Sequence, residues 1–357
     1  MKKLHLIVII VCASVFSTLA QTMDYAAATR QLHSNIYSRF FDKKQNLFLE
    51  TTDSAENREN HSFLWPLCGL IQAANEMEVV NPNKSYISPV MVAIQQYYTT
   101  RPPAPAYQAM VVREKQDNRF YDDNQWIAIA LMDAYDRTHR KEYLNISKTI
   151  YRFLLTGLND VGGGGFYWEE GNFKSKNTCS NGPGILVGLR LYQATKQKAY
   201  LDTAVKVYNW TKSRLLAPNG VYFDNIRLPS QKIDSAYYTY NAGTMLQSGV
   251  LLYNITKNKK YLDDAVSVAN AAEKQFYRNG KLRGDYWFNA VLLRGYLELY
   301  KVDKNKQRLQ FFVADANRIW KDERDSKGLV GTKNVKRLID QAAMLEIYAR
   351  LQKFEGK

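Results

Sequence analysis

The sequence predicts an all-α fold, an (α/α)6 toroid of six helical hairpins, from three observations. First, the segments MDAYDRTHRKEYLNISKTIY, RLYQATKQKAYLDTAVKVYNW and LLYNITKNKKYLDDAVSVANA can be laid over one another. Their first tyrosines, Tyr135, Tyr192 and Tyr253, and their Tyr-Leu pairs at Tyr143, Tyr200 and Tyr261 are both spaced by 57 and then 61 residues. Regular spacing on that scale marks repeated helical hairpins. Second, each unit holds two kinds of helix. WIAIALMDAY, GPGILVGLRLY and AGTMLQSGVLLY are apolar nearly all round, as a helix buried on every side must be. Their partners are one-sided, with Leu201, Ala204, Val205 and Tyr208 at i, i+3, i+4 and i+7. An inner ring wrapped by an outer ring accounts for both. Third, the inner-to-outer links are short (DRTHRKE, TKNKK), whereas the outer-to-inner links, such as Gly157 to Ser180 and Leu216 to Thr239, are long.

Along the chain, MKKLHLIVIIVCASVFSTLAQ places Lys2 and Lys3 before an apolar run that ends in small residues at Ala20. This is the layout of a cleavable secretory signal over residues 1–20, leaving 21–357 as a single catalytic domain in the periplasm, at the cell surface or outside the cell. Inner helices are expected to start near Leu64, Asp122, Gly182, Asn241, Asp285 and Val335. Outer helices cover Tyr86 to Tyr98, Tyr143 to Leu155, Tyr200 to Leu215, Tyr261 to Phe276 and about Gln307 to Trp320. The sixth inner helix lacks a following partner, and MDYAAATRQLHSNIYSRFF, near the N-terminus, supplies one.

Composition narrows the function. Net charge is +15, or +13 without the two signal lysines, but the bases are scattered with no block of five or six, as on a solvated surface rather than a nucleic-acid face. No later stretch approaches the roughly 18 apolar residues of a membrane span. After the signal only Cys68 and Cys179 remain, allowing one disulfide at most. Four histidines form no metal-ligand spacing, and there is no nucleophile elbow or P-loop. The run Gly162 to Gly165 lacks the strand and helix order of a dinucleotide site and reads as a flexible turn presenting Phe166, Tyr167 and Trp168.

Long loops inside a compact domain usually carry function, which puts the cleft at the N-terminal ends of the inner helices. There the sequence reads YDDNQW, with Asp122 and Asp123 adjacent. Acids in a first helical turn are explained by capping and the helix dipole alone, as in YLDDA, where Asp263 and Asp264 start an outer helix. Asp122 and Asp123 differ in context. They open an inner helix on the long-loop face, beside Asn124 and Trp126, and aromatic residues recur there: Trp65, Phe166, Tyr167, Trp168, Tyr222 and Tyr240. Apolar rings among hydrogen-bonding side chains suit a sugar, whose C–H faces stack while its hydroxyls need partners.

At this point the chain resembles glycoside hydrolase family 76, the endo-α-1,6-mannanases, through YDDNQWIAIALMDAY, GGGGFYWEE, KNTCSNGPGILVGLRLYQATKQKAYLDTA, GVYFDN and TYNAGTMLQSGVLLYNITKNKKYLDDA. The resemblance implies a retaining attack on internal α-1,6-mannosidic bonds. Asp122 would be the nucleophile and Asp123 the general acid/base, with carboxyl groups about 5–5.5 Å apart. It implies no cofactor and no metal, a mannan or manno-oligosaccharide partner, and a monomer. Substrate-binding candidates are Trp65, Asn124, Trp168, Asn181, Asp224, Tyr240, Asn241 and Arg283. The chain departs from the family pattern in KLRGDYWFNA, where a Phe-Lys-Gly-type segment is expected; Arg283 can replace the lysine charge, while Asp285, Tyr286 and Trp287 reshape the site. Two alternatives stand beside this reading. One is the same toroid acting on an acidic glycan, which predicts a basic cluster in the cleft; the other is a noncatalytic mannan-binding protein.

Overall fold

The computed structural model describes residues 23–57 and 59–356, so the expected signal segment lies outside the described residues. Twelve α-helices form: α1 Tyr25–Arg39, α2 Leu64–Val80, α3 Ile87–Ile94, α4 Tyr121–Thr138, α5 Lys141–Thr156, α6 Thr178–Thr195, α7 Lys198–Leu215, α8 Thr239–Thr256, α9 Lys259–Phe276, α10 Tyr286–Asp303, α11 Gln310–Asp322 and α12 Leu338–Glu355. Each even-numbered helix packs on the next, and α12 closes on α2. The odd-numbered helices wrap them, with α1 lying along α12. The protein is therefore an (α/α)6 toroid.

Burial follows the two helix types. In α6 every residue from Thr178 to Leu189 is buried, whereas α5 buries only one stripe, Tyr143, Ser147, Ile150, Tyr151, Phe153 and Leu154. Close helix crossings need small residues. A Cβ on Gly243 would lie 2.7 Å from Val291 O and from Leu292 Cα, so α8 and α10 meet backbone to backbone there. The short inner-to-outer links turn on one residue each, His139, Lys196, Lys257 and Lys304, all left-handed at φ 54 to 60°. Each donates its N–H to the last turn of the inner helix it ends. At that end of the ring Asp133 pairs with Arg190 at 3.3 Å and with Arg294, while Glu346 pairs with Arg350 at 2.8 Å.

The opposite end carries the long loops, which hold more order than their sequences suggest. Ser175–Asn177, Phe223–Arg227 and Ile233–Tyr237 form a three-stranded antiparallel sheet with the Phe223 strand in the middle. Four boundaries differ from expectation by three residues or more: among the outer helices, α3 ends at Ile94 rather than Tyr98, the chain tightening there into a 3-10 turn over Gln95–Tyr97, and α11 begins at Gln310 rather than about Gln307, after a 3-10 turn over Lys306–Leu309. Among the inner helices, α6 begins at Thr178 rather than Gly182, and α12 at Leu338 rather than Val335. The Gly182-Pro183-Gly184 run is close packing rather than a break, because a Cβ on Gly182 would lie 2.2 Å from Thr244 Oγ1 and one on Gly184 2.7 Å from Phe166 Cε2. The outer acids of YLDDA are held by more than solvent: Asp264 accepts from Lys212 Nζ at 2.6 Å and from Tyr208 Oη at 3.2 Å.

Candidate active site

One register rule builds the site. The second residue of five inner helices, Trp65, Asp122, Cys179, Tyr240 and Trp287, lines a single cleft of about 980 Å3 at the N-terminal mouth of the ring. Third residues Asp123 and Phe288 join them, with Trp168, Asp224, Tyr238 and Asp285 from the loops. The inner helices begin without side-chain caps, so the positive ends of their dipoles face the cleft and favour negative charge in it.

Fourth residues do a different job. Asn124 accepts from Tyr107 N at 2.9 Å and donates to Tyr107 O at 2.8 Å and Phe120 O at 2.9 Å. Asn181 accepts from Phe166 N at 2.7 Å and donates to Phe166 O at 3.0 Å and Asn177 O at 2.7 Å. In α12, Gln341 accepts from Val330 N and donates to Val330 O, both at 2.9 Å. Each amide thus pairs with both backbone groups of one residue in the preceding loop. Asn124 and Asn181 are fully buried and stand outside the cleft, as loop clamps rather than sugar ligands.

The glycine run is a framework rather than a flexible turn. Lys176, fully buried, reaches into it and donates to Val161 O and Gly164 O at 2.7 Å and to Asn159 O at 3.1 Å, with its ammonium 4.6 Å from the Tyr167 ring centroid. Burial lowers the Lys176 pKa to about 8, so it keeps its proton at neutral pH. Gly165 has φ +81°, and a Cβ there would lie 2.5 Å from the Trp210 ring. Phe166, Tyr167 and Tyr222 are buried in the core; from this loop Trp168 reaches the cleft. Tyr121 N donates to Trp168 O at 3.0 Å and Glu170 N to Arg119 O at 3.0 Å, which stitches the loop to the chain entering α4. Arg119, fully buried, pairs with Glu170.

Asp122 and Asp123 are treated unequally by this frame. Asp122 accepts from Trp168 Nε1 at 3.1 Å and from Asp123 N at 3.1 Å, and the Cys179 thiol also donates to it. Burial raises its pKa, and these donors limit the rise. Asp123 is 8% exposed. Burial and the Asp122 charge raise its pKa well above the usual carboxylate range. Of the two carboxyls, Asp122 is the easier to ionise and Asp123 the one that keeps its proton.

Among the remaining sequence candidates, Trp65, Asp224 and Tyr240 line the cleft with the aspartates. Burial raises the Asp224 pKa, while Asn225 donates to its Oδ2 at 2.8 Å. Asn241 is fully buried beside Asp224 and turns its amide toward that carboxylate without completing a regular hydrogen bond. Arg283 is not in the cleft, because the hairpin of Tyr277–Arg278 and Lys281–Leu282 turns it into an adjoining hollow. Cys179, Tyr238 and Phe288 were absent from the sequence expectation. The second-residue register would have found Cys179 had α6 been started at Thr178. Cys68 and Cys179 are free thiols, and Cys68 donates to Asp123 O at 3.2 Å.

The cleft carries the carboxylates Glu50, Asp117, Asp122, Asp123, Asp224 and Asp285, and among the described residues no lysine or arginine lines it. It therefore repels an anionic chain and suits a neutral one, with Trp65, Trp168, Trp287, Tyr238, Tyr240 and Phe288 to stack on. Trp168 is 37% exposed, so its ring face stays open while its N–H holds Asp122.

Comparison with known proteins finds the same fold. A family model described as glycosyl hydrolase family 76 matches residues 24–336. A mannan endo-1,6-alpha-mannosidase of Saccharomyces cerevisiae is 28% identical over 172 residues, 44% of this chain and 38% of that protein. The match thus spans well under two thirds of the curated relative's length. Among solved structures, a family 76 alpha-mannanase of Bacteroides thetaiotaomicron superimposes with TM-score 0.88 at 25% identity, covering 94% of this chain and 97% of that one. An inactive variant of an alpha-1,6-mannanase of Salegentibacter, with two consecutive aspartates replaced and alpha-1,6-mannotriose bound, superimposes with TM-score 0.79 at 24% identity over 92% of this chain and all of that one.

Proposed function

The chain belongs to glycosyl hydrolase family 76, and from that premise we propose that it is an exported, monomeric, retaining endo-glycosidase that cleaves internal α-1,6-mannosidic bonds of a mannan backbone. Asp122 attacks the anomeric carbon while Asp123 gives its proton to the departing glycosidic oxygen. Asp123, now a base, then takes a proton from water as that water releases the glycosyl group from Asp122. Trp65, Trp168, Tyr240 and Trp287 stack on sugar rings, and Asp224 accepts from hydroxyls.

The observation that carries this reading is the unequal environment of two adjacent carboxyls in one ring-walled cleft. Donors from Trp168, Cys179 and the Asp123 amide gather on Asp122, whereas Asp123 feels chiefly burial and its neighbour's charge. Acid/base assignments follow from such divergence. The Salegentibacter mannanase, inactive with two consecutive aspartates replaced, supports the same pairing. The carboxylate-lined cleft disfavours an acidic backbone, and among the described residues no helix is long and apolar enough to cross a membrane. Incubation with debranched α-1,6-mannan should release short manno-oligosaccharides; release of nothing, or only of single sugars from chain ends, would count against the reading.

The pair also sets a pH profile. Falling pH protonates Asp122 and removes the nucleophile, and because its pKa is raised, the acidic limb of kcat/KM should lie above the ordinary carboxylate value of about 4. Rising pH strips Asp123 and closes the bell. Trp168→Phe keeps an aromatic face but removes the N–H donor to Asp122, so the acidic limb should move to higher pH. A limb unmoved in this variant would show that the Trp168 bond does not tune Asp122.

A further inference from the structure

Beside the cleft lies a second hollow of about 390 Å3, formed by the hairpin before α10 and the loop before α12. Asp285 lines both, so the two adjoin at that residue. Their charges are opposite in character. The bases of the hollow are Lys281, Arg283, Arg318, Lys333 and Arg337, against Asp285, Glu323 and Asp340. Every one of those acids is already engaged. Arg337 binds Asp285 at 3.0 Å and Asp340 at 2.7 Å, and Glu323 accepts from Arg318 and from the Tyr286 hydroxyl. Lys281, Arg283 and Lys333 are exposed. Among the described residues the Arg283 guanidinium makes neither a hydrogen bond nor an ion pair. Thr332 lines the same hollow. Lys281 lies near enough to Glu323, and Lys333 to Asp340, to favour those carboxylates, yet all three cations stay exposed around the hollow and Arg283 has no acidic partner among the described residues, which is the chemistry that receives a small anion.

We propose that this hollow is a subsite for an anionic substituent, a phosphate ester or a carboxylate, carried by a glycan whose neutral backbone occupies the cleft. The inference rests on the mannan reading given above and adds a substrate class to it. Charge distribution gives the preference a position. An anion along the cleft meets its carboxylates, Glu50, Asp117, Asp122 and Asp224 among them, and only a sugar lying past Asp285 brings one within reach of Arg283 and Lys333. Asp285, 53% exposed on its side chain and tied to Arg337, is the boundary post between the two fields.

The test measures binding of three ligands to the Asp123→Asn protein, in which turnover is slowed enough for binding to be read first. They are α-1,6-mannotriose, the same trisaccharide with a phosphate monoester on one terminal residue, placed at either end in turn, and its terminal uronic acid analogue. At low salt one of the anionic ligands is expected to bind about tenfold more tightly than the neutral one, with the preference shrinking as salt is added. Adding Arg283→Ala and Lys333→Ala should bring the ratio near one. Either anion preferred in this way supports the subsite, whereas no preference at either terminus overturns it. In parallel, inorganic phosphate should raise the Tm of the otherwise unmodified protein more than that of the Arg283→Ala/Lys333→Ala variant; equal shifts count against the hollow whatever the trisaccharides do. Loss of all trisaccharide binding with the phosphate effect intact would instead overturn the mannan reading.

Discussion

Asp122→Asn is expected to lower kcat on α-1,6-mannan by about 10^3-fold or more, because the amide keeps the shape of the carboxylate but cannot form the glycosyl intermediate. Asp123→Asn should cost about 10^2- to 10^4-fold through loss of proton transfer, and the two losses should differ in kind. With Asp123→Ala the intermediate on Asp122 can still form from a substrate with a good leaving group. Added azide, which needs no base, should intercept it and give an α-mannosyl azide. No such rescue with retention is available to Asp122→Ala. Stability should move the other way. Both carboxyls have raised pKa values in the fold, so the folded state binds more protons than the unfolded one, and stability present at low pH is lost as pH rises past the unfolded carboxylate value. Each Asn variant should therefore raise Tm at pH 7 by a few degrees, read by calorimetry. Loss of activity with loss of fold would instead mark the pair as structural.

The second large effect is expected far from any sugar. Lys176→Met keeps the aliphatic stem but leaves Val161 O, Gly164 O and Asn159 O without their buried donor. Removing one partner from such a cluster costs roughly 3 kcal/mol. Because the same loop delivers Trp168 to Asp122, kcat/KM should fall by about tenfold even at temperatures where the variant is folded. Thermal unfolding and single-temperature kinetics together separate the two effects. A variant with wild-type Tm would show that the glycine run holds its shape without the lysine.

How much of this was legible follows from particular residues. The inner helices announced themselves because a helix buried on every side must be apolar on every side, and the repeated Tyr-Leu pairs placed the outer helices that follow three of them. Asp122 and Asp123 stand out by context, since unlike the Asp263-Asp264 pair of an outer helix they open an inner helix on the long-loop face among aromatic residues. The start of α6 was misplaced because Gly182-Pro183-Gly184 is chemically a breaker, and only the approach of Thr244 and Phe166 explains why glycine is needed inside a helix there. That displacement hid Cys179. The three-stranded sheet was invisible because a strand such as FDNIR has neither alternation nor a hydrophobic run; its partners are chosen by loop closure. Asn124 and Asn181 were singled out as polar residues near the cleft, and nothing local to the sequence tells an amide facing a ligand from one clamping a neighbouring backbone. Arg283 faced the same ambiguity, decided by which way a two-residue turn points.

Anomeric configuration of the first product tests the central claim most directly. When α-1,6-mannotetraose is cleaved in an NMR tube, the newly formed reducing end should appear first as the α anomer and only later mutarotate toward equilibrium. That is the outcome of two displacements through Asp122. A β anomer appearing first would mean a single displacement by water, and Asp122 would not be the nucleophile.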